Sequence, residues 1–198
     1  MEIRTDRVGL LVEQLADSMN LSKDRVDGLS DAECLWEPAP AMWSLRRTAD
    51  VRTGAAYGPG GWKLDRERID PFAPGPLTTI AWRLNHLLSG IAGRWEWTFG
   101  SRSIDPAELV EFSPGAGETL TALWSTTERW IASVEAMTAE QLDVPGFGQY
   151  PWGLDPQLPF IGIVRWVNRE FIHHMAEVAL LRDLYARREA LTSLSPAG

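Results

Sequence analysis

The sequence predicts an all-α protein: a four-helix bundle with long loops between helices 1 and 2 and between helices 3 and 4. Three observations point there. Four long segments place apolar residues at spacings of three and four, the period of a helix with one buried face. No segment shows the strict alternation of a half-buried strand. The segments are separated by stretches rich in proline and glycine, which punctuate helices rather than continue them.

Helix 1 is expected from Thr5 to Val26, with Val8, Leu11, Val12, Leu15 and Met19 along one stripe. Helix 2 runs from Leu77 to Phe99. Thr78 or Thr79 is placed to cap its free amides, and Gly100 stops it. Its stripe is Ile80, Leu84, Leu87, Leu88, Ile91 and Trp95. Helix 3 spans Glu118 to Met137, with Leu120, Leu123, Trp124, Trp130, Ile131 and Val134 inward. Helix 4, from Leu158 to Ala190, ends in Arg182, Arg187 and Arg188, which suit the negative end of a helix dipole. Residues 30–76 form the first long loop, in which Trp43-Ser-Leu-Arg-Arg-Thr48 reads as a short helical turn. Residues 138–157 form the second, with Phe147, Tyr150 and Trp152 among glycine and proline.

Composition narrows the class further. A chain of 198 residues with 44% hydrophobic and 23% charged residues can bury one core, so residues 1–190 read as a single domain and 191–198 as a flexible tail. That apolar content excludes disorder as the main state. The single cysteine, Cys34, cannot form an intramolecular disulfide. The net charge of −8 argues against a nucleic-acid partner, which requires a basic face. The N-terminal segment lacks a basic stretch followed by an apolar one, and no window reaches ~18 consecutive apolar residues. The expectation is a cytoplasmic protein with no membrane partner.

The three histidines, His86, His173 and His174, all fall on the two most apolar helices. Glu170 and His174 are four residues apart, so they project from one face of helix 4. If helices 2 and 4 are neighbours, His86 reaches the same point. Two imidazoles and one carboxylate leave coordination positions open, as catalytic metal sites do. A competing reading has weight: Glu-x-x-x-His recurs by chance on helices, and a mid-helix histidine is usually a hydrogen-bonded core residue.

Glu177 lies a further turn along the same face, as a fourth ligand, an acceptor behind the ligands, or half of a pair with an arginine. His173 points about 100° away from His174 and reads as packing or outer support. Asn85 and Asn168 are candidate polar groups in the cavity. Among the ten tryptophans, Trp82, Trp95, Trp124, Trp130 and Trp166 can line a pocket, or serve the core and a dimer interface. Cys34 has no histidine near it in sequence and is not read as a nucleophile. Gly58-Pro-Gly-Gly-Trp-Lys63 lacks the Lys-Ser/Thr ending and preceding strand of a phosphate loop.

Three stretches resemble the DinB-like proteins. They are Gly28-Leu-Ser-Asp-Ala-Glu-Cys-Leu-Trp-Glu-Pro-Ala-Pro-Ala-Met-Trp-Ser-Leu45, Thr79-Ile-Ala-Trp-Arg-Leu-Asn-His86, and Glu170-Phe-Ile-His-His-Met-Ala-Glu-Val-Ala-Leu-Leu-Arg-Asp-Leu-Tyr185. They stand in family order and cover most of the chain. The resemblance implies a four-helix bundle, often dimeric, with a histidine triad for zinc, nickel or another divalent ion. Position 170 departs from the family's usual histidine. In this it is similar to the mycothiol-dependent maleylpyruvate isomerases, whose bundle binds zinc through His, Glu and His. On that likeness the ligands are His86, Glu170 and His174. Those isomerases carry a further C-terminal domain with no counterpart in these residues, so the isomerase reaction is not implied.

The expected cofactor is a divalent metal ion, zinc foremost, with nickel, iron or manganese as alternatives. The expected function is transfer of a low-molecular-weight thiol of the mycothiol type, or hydrolysis, acting on a small-molecule substrate in a homodimer. The alternative is a non-catalytic small-molecule-binding or dimeric scaffold bundle that has lost the metal.

Overall fold

The computed structural model describes residues 5–67, 75–148 and 157–193. Among these are six α-helices: α1 (Arg7–Val26), α2 (Asp31–Cys34), α3 (Ile80–Phe99), α4 (Ala116–Glu135), α5 (Phe160–Ala186) and α6 (Arg188–Ser193). The four long ones correspond to predicted helices 1 to 4. Each packs on two others: α1 on α4 and α5, and α3 on α4 and α5. Pro71 and Pro74 of the first loop, Tyr150 and Trp152 of the second, and 194–198 of the tail lie outside the described residues.

The helix ends are set by local chemistry. Asp6 accepts from the Gly9 amide at 2.9 Å, and Thr79 from the Trp82 amide at 3.2 Å, each meeting an amide the first turn leaves free. Ser30 and Glu33 close a capping box on α2. Asp31 of α2 accepts from the Ala116 amide at 2.7 Å, and so caps α4 from a distant part of the chain. Arg182 of α5 does the converse at the other end of α1. Its guanidinium donates to the Arg25 and Asp27 carbonyls, each at 2.6 Å, and to Glu33 at 3.3 Å.

The apolar stripes turn inward as expected. Val8, Leu15 and Met19 of α1, Leu84, Leu87 and Ile91 of α3, Leu123 and Val134 of α4, and Val167 and Phe171 of α5 are buried. Phe160, Trp130, Phe99 and Phe147 form a cluster of edge-on and tilted rings, the tightest pair being Phe147 and Phe160 with centroids 5.0 Å apart. Each fully buried side chain of this size contributes roughly 1.5–3 kcal/mol.

The first long loop corrects the expectation that the chain lacks strands. Leu45–Arg47 (β1) pairs antiparallel with Trp62–Leu64 (β2), in the register Leu45–Leu64, Arg46–Lys63, Arg47–Trp62. The predicted helical turn at Trp43–Thr48 is therefore largely strand, followed by a single 3-10 turn at Thr48–Asp50. The ribbon is sewn to the start of α3. Trp43 donates its amide to the Leu77 carbonyl and accepts from the Thr79 amide, both at 2.9 Å. Asp65, just after β2, is buried. Its carboxylate accepts from the Ser44 amide at 3.0 Å and from Arg46 Nε at 2.9 Å. Arg46 also reaches Glu37 at 2.7 Å.

Candidate metal centre

α3 supplies His86, and α5 supplies Glu170 and His174 from adjacent turns. Because α3 packs on α5, the three side chains converge, and one ligand atom from each lies within 4.8 Å of the other two. His174 Nε2 is 3.4 Å from Glu170 Oε2. The two imidazoles meet edge to face, with centroids 5.1 Å apart. Ligand atoms around a tetrahedral ion with bonds of ~2.0 Å sit roughly 3.3 Å apart, so small side-chain rotations close the set.

The electrostatics suit a cation. Burial, reinforced by His174, pushes His86 down to about 4, so the ring is neutral near pH 7 and has a lone pair to offer. His174, with Nε2 3.4 Å away, and then Arg169 hold the Glu170 carboxyl below its ordinary value, so it is an anion. Two imidazoles and a carboxylate are a donor set that fits a divalent ion.

Glu177 lies behind this set. Its Oε2 is 2.8 Å from His174 Nδ1, the ring nitrogen remote from Glu170. Arg83, one turn before His86 on α3, pairs with the same oxygen at 2.6 Å and lies 2.8 Å from the same Nδ1. Sequence reasoning missed Arg83. The available signal was its spacing, three residues before His86 on the face turned to α5.

On the other side, Trp82 stacks on His86, with centroids 4.7 Å apart and planes inclined by 16°. Its indole N–H donates to the Asp65 carbonyl at 2.8 Å, which ties the ribbon to the cluster. Together they wall a cavity of about 620 Å³ lined by Trp43, Tyr57, Arg66, Glu67, Trp82 and His86. A comparable groove of about 670 Å³ runs along α1 and α5, lined by Leu11, Arg165, Trp166, Arg169 and His173. It contains none of the three converging residues. The functional weight therefore falls on the cavity that includes His86.

The remaining predicted residues are placed as follows. His173 is exposed and faces the α1–α5 groove. Trp166 borders both that groove and a narrow cleft shared with His86 and Glu170, and the Arg94 guanidinium lies 4.9 Å from its ring centroid. Asn85 is not a polar group of the cavity: its amide donates to the Ser113 carbonyl at 3.0 Å and its oxygen accepts from the Ser113 amide at 3.2 Å. Asn168 likewise ties α5 to α1 through the Leu11 carbonyl at 2.9 Å. Cys34 is buried, and burial pushes its thiol up to about 12.

These features describe a helical protein whose only clustered imidazoles face a carboxylate at the seam of two helices. The sequence profile of the DinB superfamily matches residues 14–178, and the chain belongs to that superfamily. None of the curated proteins matches it. The fold is similar to that in the crystal structure of a conserved protein from Enterococcus faecalis. The TM-score is 0.55 and the identity 11%, over 91% of this chain and 98% of that one. Among the described residues no helix is long and apolar enough to cross a membrane.

Proposed function

We propose that the chain is a divalent-metal-dependent enzyme that transfers a low-molecular-weight thiol to a small electrophile or hydrolyses it. In this reading His86, Glu170 and His174 hold the ion, zinc foremost, with nickel, iron or manganese as alternatives. One observation carries it: His86 belongs both to the converging set and to the wall of the 620 Å³ cavity. A divalent ion lowers the pKa of a bound water or thiol and so yields a nucleophile at neutral pH.

The chain's own groups do the rest. Trp82 fixes the His86 ring by stacking. Trp43 and Tyr57 supply apolar wall, which strengthens polar interactions inside by excluding water. Arg66 and Glu67 give that wall its charged members. The thiol is supplied from outside, because Cys34 is buried and protonated.

Metal content of protein purified without a histidine tag tests the reading. We expect near one ion per chain, and near none in His86→Ala and His174→Ala. Glu170→Gln keeps the shape and removes the anion, so it should bind more weakly in competition with a chromogenic chelator. A parent protein that takes up none of zinc, nickel, iron and manganese would refute it. That result would favour the non-catalytic bundle, a reading supported by the direct Glu170–His174 and Arg83–Glu177 pairing, which needs no ion.

The reading includes a cytoplasmic homodimer. What supports pairing is the likeness to the superfamily, whose bundles are often dimeric. Light scattering should give twice the 22.1 kDa of one chain.

A further inference from the structure

We propose that Arg83 and Glu177 are opposed positioning residues. Glu177 favours the tautomer of His174 that can bind a metal ion, and Arg83 favours the one that cannot. This rests on the assignment of His174 as a ligand through Nε2, the atom 3.4 Å from Glu170.

The observation is a conflict at one atom. His174 Nδ1 lies 2.8 Å from Glu177 Oε2 and 2.8 Å from Arg83 Nη1. A carboxylate only accepts a hydrogen bond, and a guanidinium only donates one. A neutral imidazole carries one proton, so Nδ1 serves one of these neighbours and opposes the other. With the proton on Nδ1, the ring donates to Glu177, and the Nε2 lone pair points toward Glu170 and His86. With the proton on Nε2, the ring donates to Glu170, while Nδ1 accepts from Arg83. The first arrangement is open to a cation and the second is closed to it.

The two opposing residues are themselves paired, with Arg83 Nη1 2.6 Å from Glu177 Oε2. If either swings away, the other is left with His174 Nδ1 alone among the described residues, in the tautomer that suits it. Arg83 is held firmly, with its side chain 13% exposed, and its Nε is buried without an acceptor among the described residues. Its fixed charge also repels any cation held on the far side of the same ring. A ring holding a cation through Nε2 would keep its one proton on Nδ1, donated as a hydrogen bond to Glu177. No net proton is released from a neutral ring.

A merely structural role would give both residues the same sign, because loss of either partner would loosen the ring. Opposed roles give opposite signs. The test uses the full chain with zinc alone as the probe. Affinity is read by chelator competition, and the His174 tautomer by long-range proton–nitrogen NMR of metal-free protein at pH 8. The chain has three histidines, so His86→Gln and His173→Gln assign the signals.

Arg83→Met should move His174 toward the Nδ1–H form and tighten zinc binding by about tenfold, the lower end of effects seen for groups behind metal ligands. Glu177→Gln should move it toward the Nε2–H form and weaken zinc binding by about the same factor. Arg83→Lys keeps the charge and should keep the parent tautomer. The proposal is overturned if Arg83→Met and Glu177→Gln both weaken binding, or if Arg83→Met leaves the tautomer unchanged. Failure of the parent to bind zinc overturns the ligand assignment as well. An unchanged tautomer beside normal zinc binding overturns this inference alone.

Discussion

Asp65 links the ribbon to the wall of the candidate site, and its replacement should be costly in a graded way. Its side chain is 5% exposed, and one carboxylate oxygen serves both the Ser44 amide and Arg46. The other oxygen, Oδ1, is buried with no partner among the described residues. Asn in place of Asp can therefore keep both hydrogen bonds, with its NH₂ where Oδ1 stood. It loses charge and leaves its buried NH₂ with no acceptor among the described residues, a further ~1 kcal/mol, while Arg46 retains Glu37 at 2.7 Å. Exchanging charge-assisted for neutral hydrogen bonds costs about 1–2 kcal/mol. Asp65→Ala instead strands the buried Ser44 amide and takes the charged acceptor from Arg46 Nε while Glu37 stays paired, a cost of about 3–5 kcal/mol. For a chain of this size each kcal/mol lowers Tm by about 2–4 °C. Urea unfolding of both variants, followed by far-ultraviolet circular dichroism, measures the difference. Equal losses in the two variants would refute the reasoning, because the argument requires the acceptor geometry to outweigh the charge.

Three further outcomes follow from particular contacts. Gly58 has φ +118°, and a Cβ there would overlap the Phe112 ring, so Gly58→Ala should cost at least ~2 kcal/mol in the same unfolding assay. Arg182→Met removes the guanidinium from the Arg25 and Asp27 carbonyls and from Glu33, and should cost about 1–3 kcal/mol. The His86 ring has a folded pKa of about 4, below its ordinary 6.5, so the unfolded chain binds more protons between those values. Its contribution is complete above about pH 6.5 and declines as pH falls toward 4. In metal-free protein the parent should lose about 2 kcal/mol more than His86→Gln between pH 7 and pH 4.5.

The long helices were legible because their buried faces repeat at the helical period: Leu84, Leu87 and Ile91 are neighbours in space for the same reason that they are spaced in sequence. His86, Glu170 and His174 were legible because histidine is scarce here and a pair four apart shares a face. The ribbon was not. Two strands of three residues, one of them Leu-Arg-Arg, are too short to show alternation. Arg83 was hidden because an arginine on a partly polar helix face looks solvated until the neighbouring helix brings Glu177 to it. Asn85 read as a polar group for a cavity, yet its partners are the Ala81 carbonyl and the backbone groups of Ser113, the latter announced by no local pattern. Arg182 fitted the end of its own helix by charge, whereas its bonds go to the end of α1. The ribbon apart, each miss depends on a partner carried by another element.

The buried thiol of Cys34 has a practical consequence. A cysteine that is 1% exposed and protonated at neutral pH does not react with a chromogenic disulfide while the chain is folded. Prompt colour in such an assay therefore counts the thiol added by the experimenter, and consumption of a candidate cosubstrate can be followed over a slow protein background. The slow colour that does arise from protein alone is a clock. Cys34 lies on α2, whose neighbouring Glu33 is clasped by Arg182, so its labelling rate reports how often that corner opens. Weakening the clasp with Arg182→Met should speed the clock.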